Sequence, residues 1–229
     1  MAANSETTLQ TERKNYLSPP STSFPPCSEQ KMMTNRSRLI VLIAALMLAA
    51  TYFFPLWMIS LEAPQYPEGL GMYIWINKIT GINKGDVAKI NNLNHYIGMK
   101  EIKEDSIPEL KYMPWIMRAL MLWGVVAAIA GSRKVLLSWI LIFIAVSMAG
   151  LIDFYLWEYD YGHDIDLENA IIKIPGTSFQ PPLIGSKQIL NFNALSLPAT
   201  GGIVLGLSLL TAIYVYLKES NLLWKRGAK

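Results

Sequence analysis

The chain has 229 residues, of which 52% are hydrophobic and only 16% are charged, and its formal net charge at pH 7 is +3. An ordinary soluble domain carries about 25% charged residues, and no basic cluster alternates with aromatic residues as nucleic-acid binding would require. The single cysteine, Cys27, excludes an intramolecular disulfide framework and any CxxC metal or redox motif. The apolar residues are gathered into long runs, and about 20 apolar helical residues cross a bilayer. The sequence therefore predicts a mainly α membrane protein.

Residues 1–38 are rich in Ser, Thr, Pro and Asn and have no apolar periodicity. Such a composition cannot bury enough apolar surface to fold, so we expect a disordered cytoplasmic segment. Met32 and Met33 stand immediately before the basic residues that precede the first apolar run. Residues 1–32 could therefore be an overlong gene prediction, and whether they belong to the mature chain is open at this point.

Four apolar runs predict four transmembrane helices. The predicted spans are residues 39–60, 114–131, 135–157 and 198–217. Pro55 predicts a kink near the end of the first span, whereas the prolines that open the second and fourth spans suit a first helical turn. A cleaved signal peptide is the alternative for the first run. That run stays apolar well beyond its "LAA" stretch, so we expect an uncleaved anchor.

Lys and Arg residues cluster on one side of the predicted spans. They precede the first span, fill the turn at Arg133 and Lys134, and follow the fourth span. Because cytoplasmic loops carry the excess of basic residues, both termini are predicted to be cytoplasmic, with residues 218–229 as a tail. Residues 61–113 and 158–197 then face outward, which for a bacterial inner membrane is the periplasm, and we refer to them as the periplasmic segments.

The two periplasmic segments carry strand and helix patterns. "MYIWI" (72–76), "AIIKI" (170–174) and "KQILNFNAL" (187–195) are β-branched and aromatic, which predicts strands. "KGDVAKINNLNHYIGM" has the apolar spacing of a short helix, with Asp86 as its cap and Gly98 near its end. We therefore expect a small α+β outer layer on the four-helix membrane domain of residues 39–217.

Each periplasmic segment holds one of the two histidines in the chain. His95 precedes Met99 by one helical turn, which would place an imidazole and a thioether on one face, a pair that suits copper. His163 stands in the acidic stretch "EYDYGHDID", where a carboxylate could orient its ring as at metal sites. The pattern predicts a copper site formed by His95, Met99 and His163. The alternative is a histidine bonded to the backbone, a packed methionine and a solvated acidic loop.

Arg118 and Asp153 are charged residues inside predicted spans, at matching depths. An ionisable group at such depth is costly unless it is paired, so we predict a structural ion pair between Arg118 and Asp153. A proton or quinol role is the alternative. No P-loop, GxGxxG, HExxH, CxxCH or GxSxG motif occurs in the sequence, which offers no sign of an enzyme.

Four stretches carry a family resemblance: "LEAPQYPEGLGM", "LNHYIGM", "YDYGHDID" and "FQPPLIGSKQILNF". They resemble a family of small multi-span membrane proteins encoded in gene clusters for nitrous oxide respiration, a step of denitrification. Neighbouring genes encode the copper enzyme nitrous oxide reductase and its copper lipoprotein chaperone. The resemblance covers residues 38–217 and is strongest in the predicted periplasmic segments.

The resemblance implies a protein that supports the periplasmic reductase by handling copper, docking its maturation factors or passing electrons. No residue roles carry over from the family, so the predicted copper ligands rest on their chemistry alone. We expect an accessory membrane protein, with no catalytic activity of its own, that binds or presents copper at its outer face. The alternatives are a metal-free docking scaffold and a quinol-linked electron-transfer subunit.

Overall fold

The fold comes from a computed structural model that describes residues 32–220, apart from Asn169, Ile174, Pro175 and Thr177. The predicted disorder of residues 1–31, the tail beyond residue 220 and Cys27 lie outside the described residues. Within the described part, an apolar helical bundle carries a small antiparallel sheet at one end. The predicted combination of a helical bundle and a small α+β layer is confirmed.

The described part of the chain contains five α-helices, five strands and two 3₁₀ helices. The α-helices of the described part are α1 (Asn35–Met47), α2 (Asp86–Ile97), α3 (Glu109–Ala130), α4 (Arg133–His163) and α5 (Thr200–Glu219). The strands are β1 (Trp57–Ala63), β2 (Tyr66–Ile74), β3 (Ile79–Gly81), β4 (Gly185–Ile189) and β5 (Phe192–Pro198). A 3₁₀ helix, Leu48–Tyr52, continues α1, and a one-turn 3₁₀ helix, Glu104–Ser106, precedes α3.

The bundle consists of α1, α3, α4 and α5, which pack in that order with α5 also against α1. Trp139 and Phe143 of α4 fill its centre, and small residues allow close approach: a Cβ on Gly124 would meet Ala45 and Trp139. Large apolar side chains such as Leu210 remain exposed on the outside of the bundle. Among the described residues, four helices are long and apolar enough to cross a membrane, which confirms the predicted number.

The predicted span boundaries are wrong in several places. The helical part of the first span begins at Asn35, inside the segment predicted to be disordered, and ends at Tyr52. Residues 57–60, the last of the predicted span, belong to β1. The prediction failed there because an apolar run alone does not distinguish a helix from a buried strand. Pro55 therefore ends the helical stretch and does not kink it.

The two prolines predicted to open helices do not do so. Pro114 lies inside α3, which begins at Glu109, and Pro198 is the last residue of β5. Strand β5 therefore runs directly into α5. Helix α5, which corresponds to the fourth predicted span, continues to Glu219, so part of the predicted cytoplasmic tail is helical.

The sheet has the strand order β3-β2-β1-β5-β4 and every neighbouring pair is antiparallel. Its central strands are direct continuations of the first and last bundle helices, with Trp57 opposite Pro198 where they meet the bundle. Helix α2 packs against β2, and the last turns of α4 contribute Tyr161 to the core between them. We call the sheet, α2 and their connections (residues 57–108 and 164–198) the sheet layer.

The strand predictions hold in part. "MYIWI" supplies the end of β2, whose last residue is Ile74. "KQILNFNAL" is a hairpin of β4 and β5 and not a single strand, because the chain turns at Leu190, which has a φ of 54°. The described residues of "AIIKI", 170–173, form no strand.

Candidate functional site

The end of α2 and the chain that leaves α4 are joined by two backbone hydrogen bonds. The N–H of Asp166 donates to the carbonyl of Gly98, and the N–H of Ile172 donates to the carbonyl of Tyr96, both at 2.9 Å. We call this contact between residues 95–100 and 160–172 the junction. It brings the two histidine-bearing segments together, as the predicted copper site requires.

Lys100 adds a charged bridge to the junction. Its Nζ lies 2.6 Å from Oδ2 of Asp164 and 3.0 Å from Oδ2 of Asp160. The hydrogen bonds to these carboxylates, that to Asp164 first, raise the pKa of Lys100 above its usual range. Because about half of each side chain is exposed, the bridge adds little to stability. The acidic stretch is thus partly neutralised and does not simply face water.

His163 is the last residue of α4, so residues 158–163, which were predicted to belong to the connection after the third span, are helical. Its Nδ1 lies 2.9 Å from the carbonyl oxygen of Tyr159, and its ring stacks on that of Tyr159 with centroids 4.0 Å apart. A backbone carbonyl therefore orients the imidazole, in place of the expected carboxylate. With Nδ1 donating to the carbonyl, Nε2 is left with its lone pair for a ligand.

His95 and Met99 do not share a helix face. His95 is exposed in the last turn of α2, which ends at Ile97, and Gly98 follows with a φ of 79°. Met99 therefore lies beyond the helix and packs into the cores of the sheet layer. The prediction that His95 and Met99 lie on one helix face is therefore wrong, because the helix ends between them.

Whether His95, Met99 and His163 bind one copper ion stays a prediction. The two imidazoles are exposed at the junction, whereas the thioether faces the interior. The described residues contain no group of three or more His, Cys, Asp and Glu side chains placed to hold a metal ion.

The predicted ion pair between Arg118 and Asp153 is absent from the ion pairs of the described residues. The Arg118 guanidinium lies over the rings of Trp115 and Tyr52, at 4.6 and 5.8 Å from their centroids. Arg118 thus faces the α1 side of α3. Asp153 instead lines a cavity on the other side, together with Glu109. Matching depth was not sufficient, because the two side chains point to different faces of the bundle.

That cavity, which we call the bundle cavity, has a volume of about 390 Å³ and lies between α3, α4, α5 and the base of the sheet. Its walls are mainly apolar, and Glu109, Ser147 and Asp153 are its hydroxyl and carboxyl groups. The sequence predicts Asp153 at this depth but does not predict a cavity there.

A second cavity, of about 100 Å³, lies inside the sheet layer between β1, β2, α2 and the end of α4. Glu158 lines it with no exposed surface, and neither carboxylate oxygen has a hydrogen-bond partner among the described residues. Met72 and Met99 line the same cavity, which we call the Glu158 cavity.

The Glu158 cavity was not predicted, because the third predicted span ends at Trp157 whereas α4 continues to His163. The signal in the sequence is the helical period, if it is extended by two turns beyond Trp157. Glu158, Tyr161 and Gly162 then fall on one face at i, i+3 and i+4, and all three are buried in the structure.

No protein-family model matches the chain, and no curated protein matches it. The resemblance to proteins of nitrous oxide gene clusters therefore remains an expectation drawn from the four sequence stretches.

Proposed function

We propose that the chain is an accessory protein of the bacterial inner membrane that supports a periplasmic copper enzyme, nitrous oxide reductase, by binding or presenting copper. The bundle crosses the membrane and the sheet layer faces the periplasm. The protein has no catalytic activity of its own. Its partners are the lipid bilayer and the copper reductase or its copper chaperone.

The observation that supports this proposal is the junction. Two separate segments, each with one histidine, are held side by side by the hydrogen bond from Asp166 to Gly98. His163 is oriented with its Nε2 available, and His95 lies one turn before Gly98. Exposed imidazoles suit copper and can pass an ion to a partner protein, as a presenting site must.

The orientation is supported by the end of the bundle opposite the sheet layer. Arg38 and Arg133 lie at that end, where Nε of Arg38 donates to the carbonyl of Ala128 at 3.0 Å and Arg133 pairs with Glu219 at 3.5 Å. Lys134 in the first turn of α4 and Lys218 in the last turn of α5 lie at the same end of the bundle. An excess of Lys and Arg marks the cytoplasmic side, so the sheet layer faces outward.

The test is the copper content of the purified protein, measured with the His95→Ala and His163→Ala variants. Both variants should bind less copper than the wild type and lower reductase activity in cells, while their level in the membrane stays normal. Asn92→Ala, which removes another exposed side chain of α2, is the matched control and should keep its copper. Unchanged copper content in both histidine variants would overturn the assignment to these residues.

A second candidate, the binding of a membrane quinol, is favoured by the bundle cavity. Its apolar walls suit a quinol ring and the start of its isoprenoid chain, and Glu109 and Asp153 can accept hydrogen bonds from quinol hydroxyls. Trp57, Trp75 and Trp157 line it, so a short-chain quinone should quench tryptophan fluorescence on binding.

The quinol candidate is tested by filling the bundle cavity. A side chain at Gly206 has open space before it, so Gly206→Leu should weaken quenching by the quinone, whereas the lipid-facing Leu210→Phe should not. If the protein binds neither copper nor quinone, the metal-free docking scaffold is the remaining function.

A further inference from the structure

Glu158 differs from the other buried acids of the described part. Oδ2 of Asp86 accepts hydrogen bonds from the N–H groups of Asn83 and Gly71 at 2.9 and 3.3 Å. Glu219 accepts from Thr34 and Ser37 and pairs with Arg133. Glu158 has no exposed surface, and the described residues supply no partner to either of its oxygens.

An ionised carboxylate in apolar surroundings is very unfavourable unless a counter-charge or hydrogen bonds accompany it. Either a proton or a bound cation must therefore neutralise Glu158. The walls of its cavity are almost entirely apolar, and two of its polar groups are already engaged. Tyr161 Oη donates to the carbonyl of Glu101 at 2.9 Å, and Asn94 Nδ2 donates to that of Lys100 at 3.2 Å. The indole Nε1 of Trp157, which also lines the cavity, is buried without a partner among the described residues, but a water held there would leave the charge of an ionised carboxylate uncompensated.

The size and the lining narrow the class of ligand. A cavity of about 100 Å³ is smaller than the sites of organic ligands, which are typically about 300–1,000 Å³. It has room for an ion. Met72 and Met99 bring two thioethers to the same cavity as the carboxylate. Thioethers are soft ligands and select Cu⁺ over hard cations such as Mg²⁺ and Ca²⁺.

We propose that the Glu158 cavity is an internal site for Cu⁺, bound by the carboxylate of Glu158 and the thioethers of Met72 and Met99. One monovalent cation and one carboxylate leave the buried site neutral, whereas a divalent ion would leave a net charge in an apolar cavity. The proposal deepens the proposed function, on which the choice of copper rests. Its ligands do not include the histidines of the junction.

The two copper sites are connected through the chain at the junction. Met99 directly follows Gly98, whose carbonyl accepts the hydrogen bond from Asp166, and its side chain lines the Glu158 cavity. The exposed histidines would receive or release the ion, and the internal site would retain it. Copper held in this way is shielded from water and from oxidation.

The test is an anaerobic Cu⁺ titration of the purified full-length protein against a chromophoric Cu⁺ chelator. We expect Glu158→Gln and Met99→Leu to weaken Cu⁺ binding at least about tenfold, since loss of even an outer-shell partner lowers metal affinity by about 10–100-fold. Glu101→Gln and Met148→Leu, at exposed positions, are the matched controls and should bind as the wild type does. X-ray absorption of the bound ion should show sulfur ligands that are lost in the Met72→Leu, Met99→Leu double variant.

The stability of the metal-free variants shows whether misfolding explains their weaker Cu⁺ binding. Without copper Glu158 carries a proton and is neutral, so the similarly shaped and neutral Glu158→Gln should unfold at about the same temperature as the wild type. With Cu⁺ added, the wild type should gain stability and Glu158→Gln should not. Unchanged Cu⁺ affinity in Glu158→Gln would overturn the internal site and would identify Glu158 as a carboxyl kept protonated.

A variant without both histidines separates this inference from the proposed function. His95→Ala, His163→Ala protein should still bind one Cu⁺ at the internal site. If that variant supports reductase activity fully, the presenting role of the histidines fails while the internal site stands. If it binds no Cu⁺ at all, the internal site is wrong.

Discussion

The N–H of Asp166 donates to the carbonyl of Gly98 at 2.9 Å, and this bond closes the junction between α2 and the chain that leaves α4. Gly98 has a φ of 79°, and a Cβ there would collide with the carbonyl oxygen of Asp166 and press on Ala170. The close approach of the two histidine-bearing segments thus depends on a glycine at this position.

Replacement of Gly98 by alanine should open the junction. Gly98→Ala introduces both the strain of a left-handed conformation, about 1–2 kcal/mol, and the collision with Asp166. Gly85 is the matched control, because it has a φ of 86° but nothing within 4 Å of an added Cβ. We expect Gly98→Ala to lower the unfolding temperature more than Gly85→Ala and, unlike it, to lower copper content. Equal effects of the two variants would show that the junction tolerates a methyl group.

The proposed orientation can be measured with single cysteines in a Cys27→Ser background. Lys84→Cys, in the sheet layer, should react with an impermeant maleimide in intact cells. Lys134→Cys, in the first turn of α4, should react only after permeabilisation. In the natural sequence Cys27 should be protected in intact cells. The reverse pattern would place the sheet layer in the cytoplasm.

Arg118 and Asp153 should behave as independent residues. Because Arg118 lies over Trp115 and Tyr52 while Asp153 lines the bundle cavity, the two share no partner among the described residues. The losses in unfolding free energy of Arg118→Leu and Asp153→Leu should therefore add, within about 0.3–0.5 kcal/mol, in the double variant. A double variant that is more stable than the additive value would restore the ion pair predicted from the sequence.

Glu219 holds three elements together at the basic end of the bundle. Its carboxylate accepts from the hydroxyls of Ser37 and Thr34 at 2.5 and 3.0 Å and pairs with Arg133. Glu219→Ala leaves these donors without their acceptor, so it should destabilise the protein by about 1–3 kcal/mol. The neighbouring Lys218→Ala, at an exposed position, is the control for thermal unfolding in detergent and should have little effect.

Asp86 should make the sheet layer sensitive to acid. Burial alone would raise the pKa of Asp86, but hydrogen bonds from the N–H groups of Asn83 and Gly71, with the charge of Lys89, hold it below 3.8. Because the pKa is lower in the folded state, the stabilisation is complete above pH 3.8 and is lost as the pH falls through the folded value. Asp86→Asn should therefore lose less stability than the wild type when unfolding is followed from about pH 5 to pH 3. Identical pH profiles would show that Asp86 contributes no such effect.

The bundle could be predicted from the sequence because long apolar runs are a strong signal for helices of membrane length. The ends of those helices could not. Residues 57–60 are as apolar as a helix core, yet they pair with β2 and β5, and only tertiary contacts decide this. The polar composition of residues 158–163 predicted a loop, whereas tight packing of Gly162 against Gln180 holds them as the end of α4.

The candidate site was predictable as two segments but not as a set of contacts. Histidine in each segment and the outer location pointed to the junction. The direction of Met99 depends on the left-handed Gly98, which a helical spacing rule does not anticipate. The site around Glu158 could not be predicted, because it depends on the burial of this carboxylate without a partner among the described residues. The sequence shows only one charged residue in a polar stretch, which does not indicate burial.

The pairing of β1 with β5 has a consequence for biosynthesis. Trp57 lies opposite Pro198, so the centre of the sheet joins the chain that leaves the first bundle helix to the chain that enters the last. Under the proposed topology, β1 leaves the translocation machinery with only its β2 edge paired, and its other edge stays open until residues 192–198 have been exported. An open strand edge is prone to pair with other chains. A ribosome that stalls, or a chain cut short before β5, would thus leave an aggregation-prone edge in the periplasm, where a quality-control protease could recognise incomplete copies.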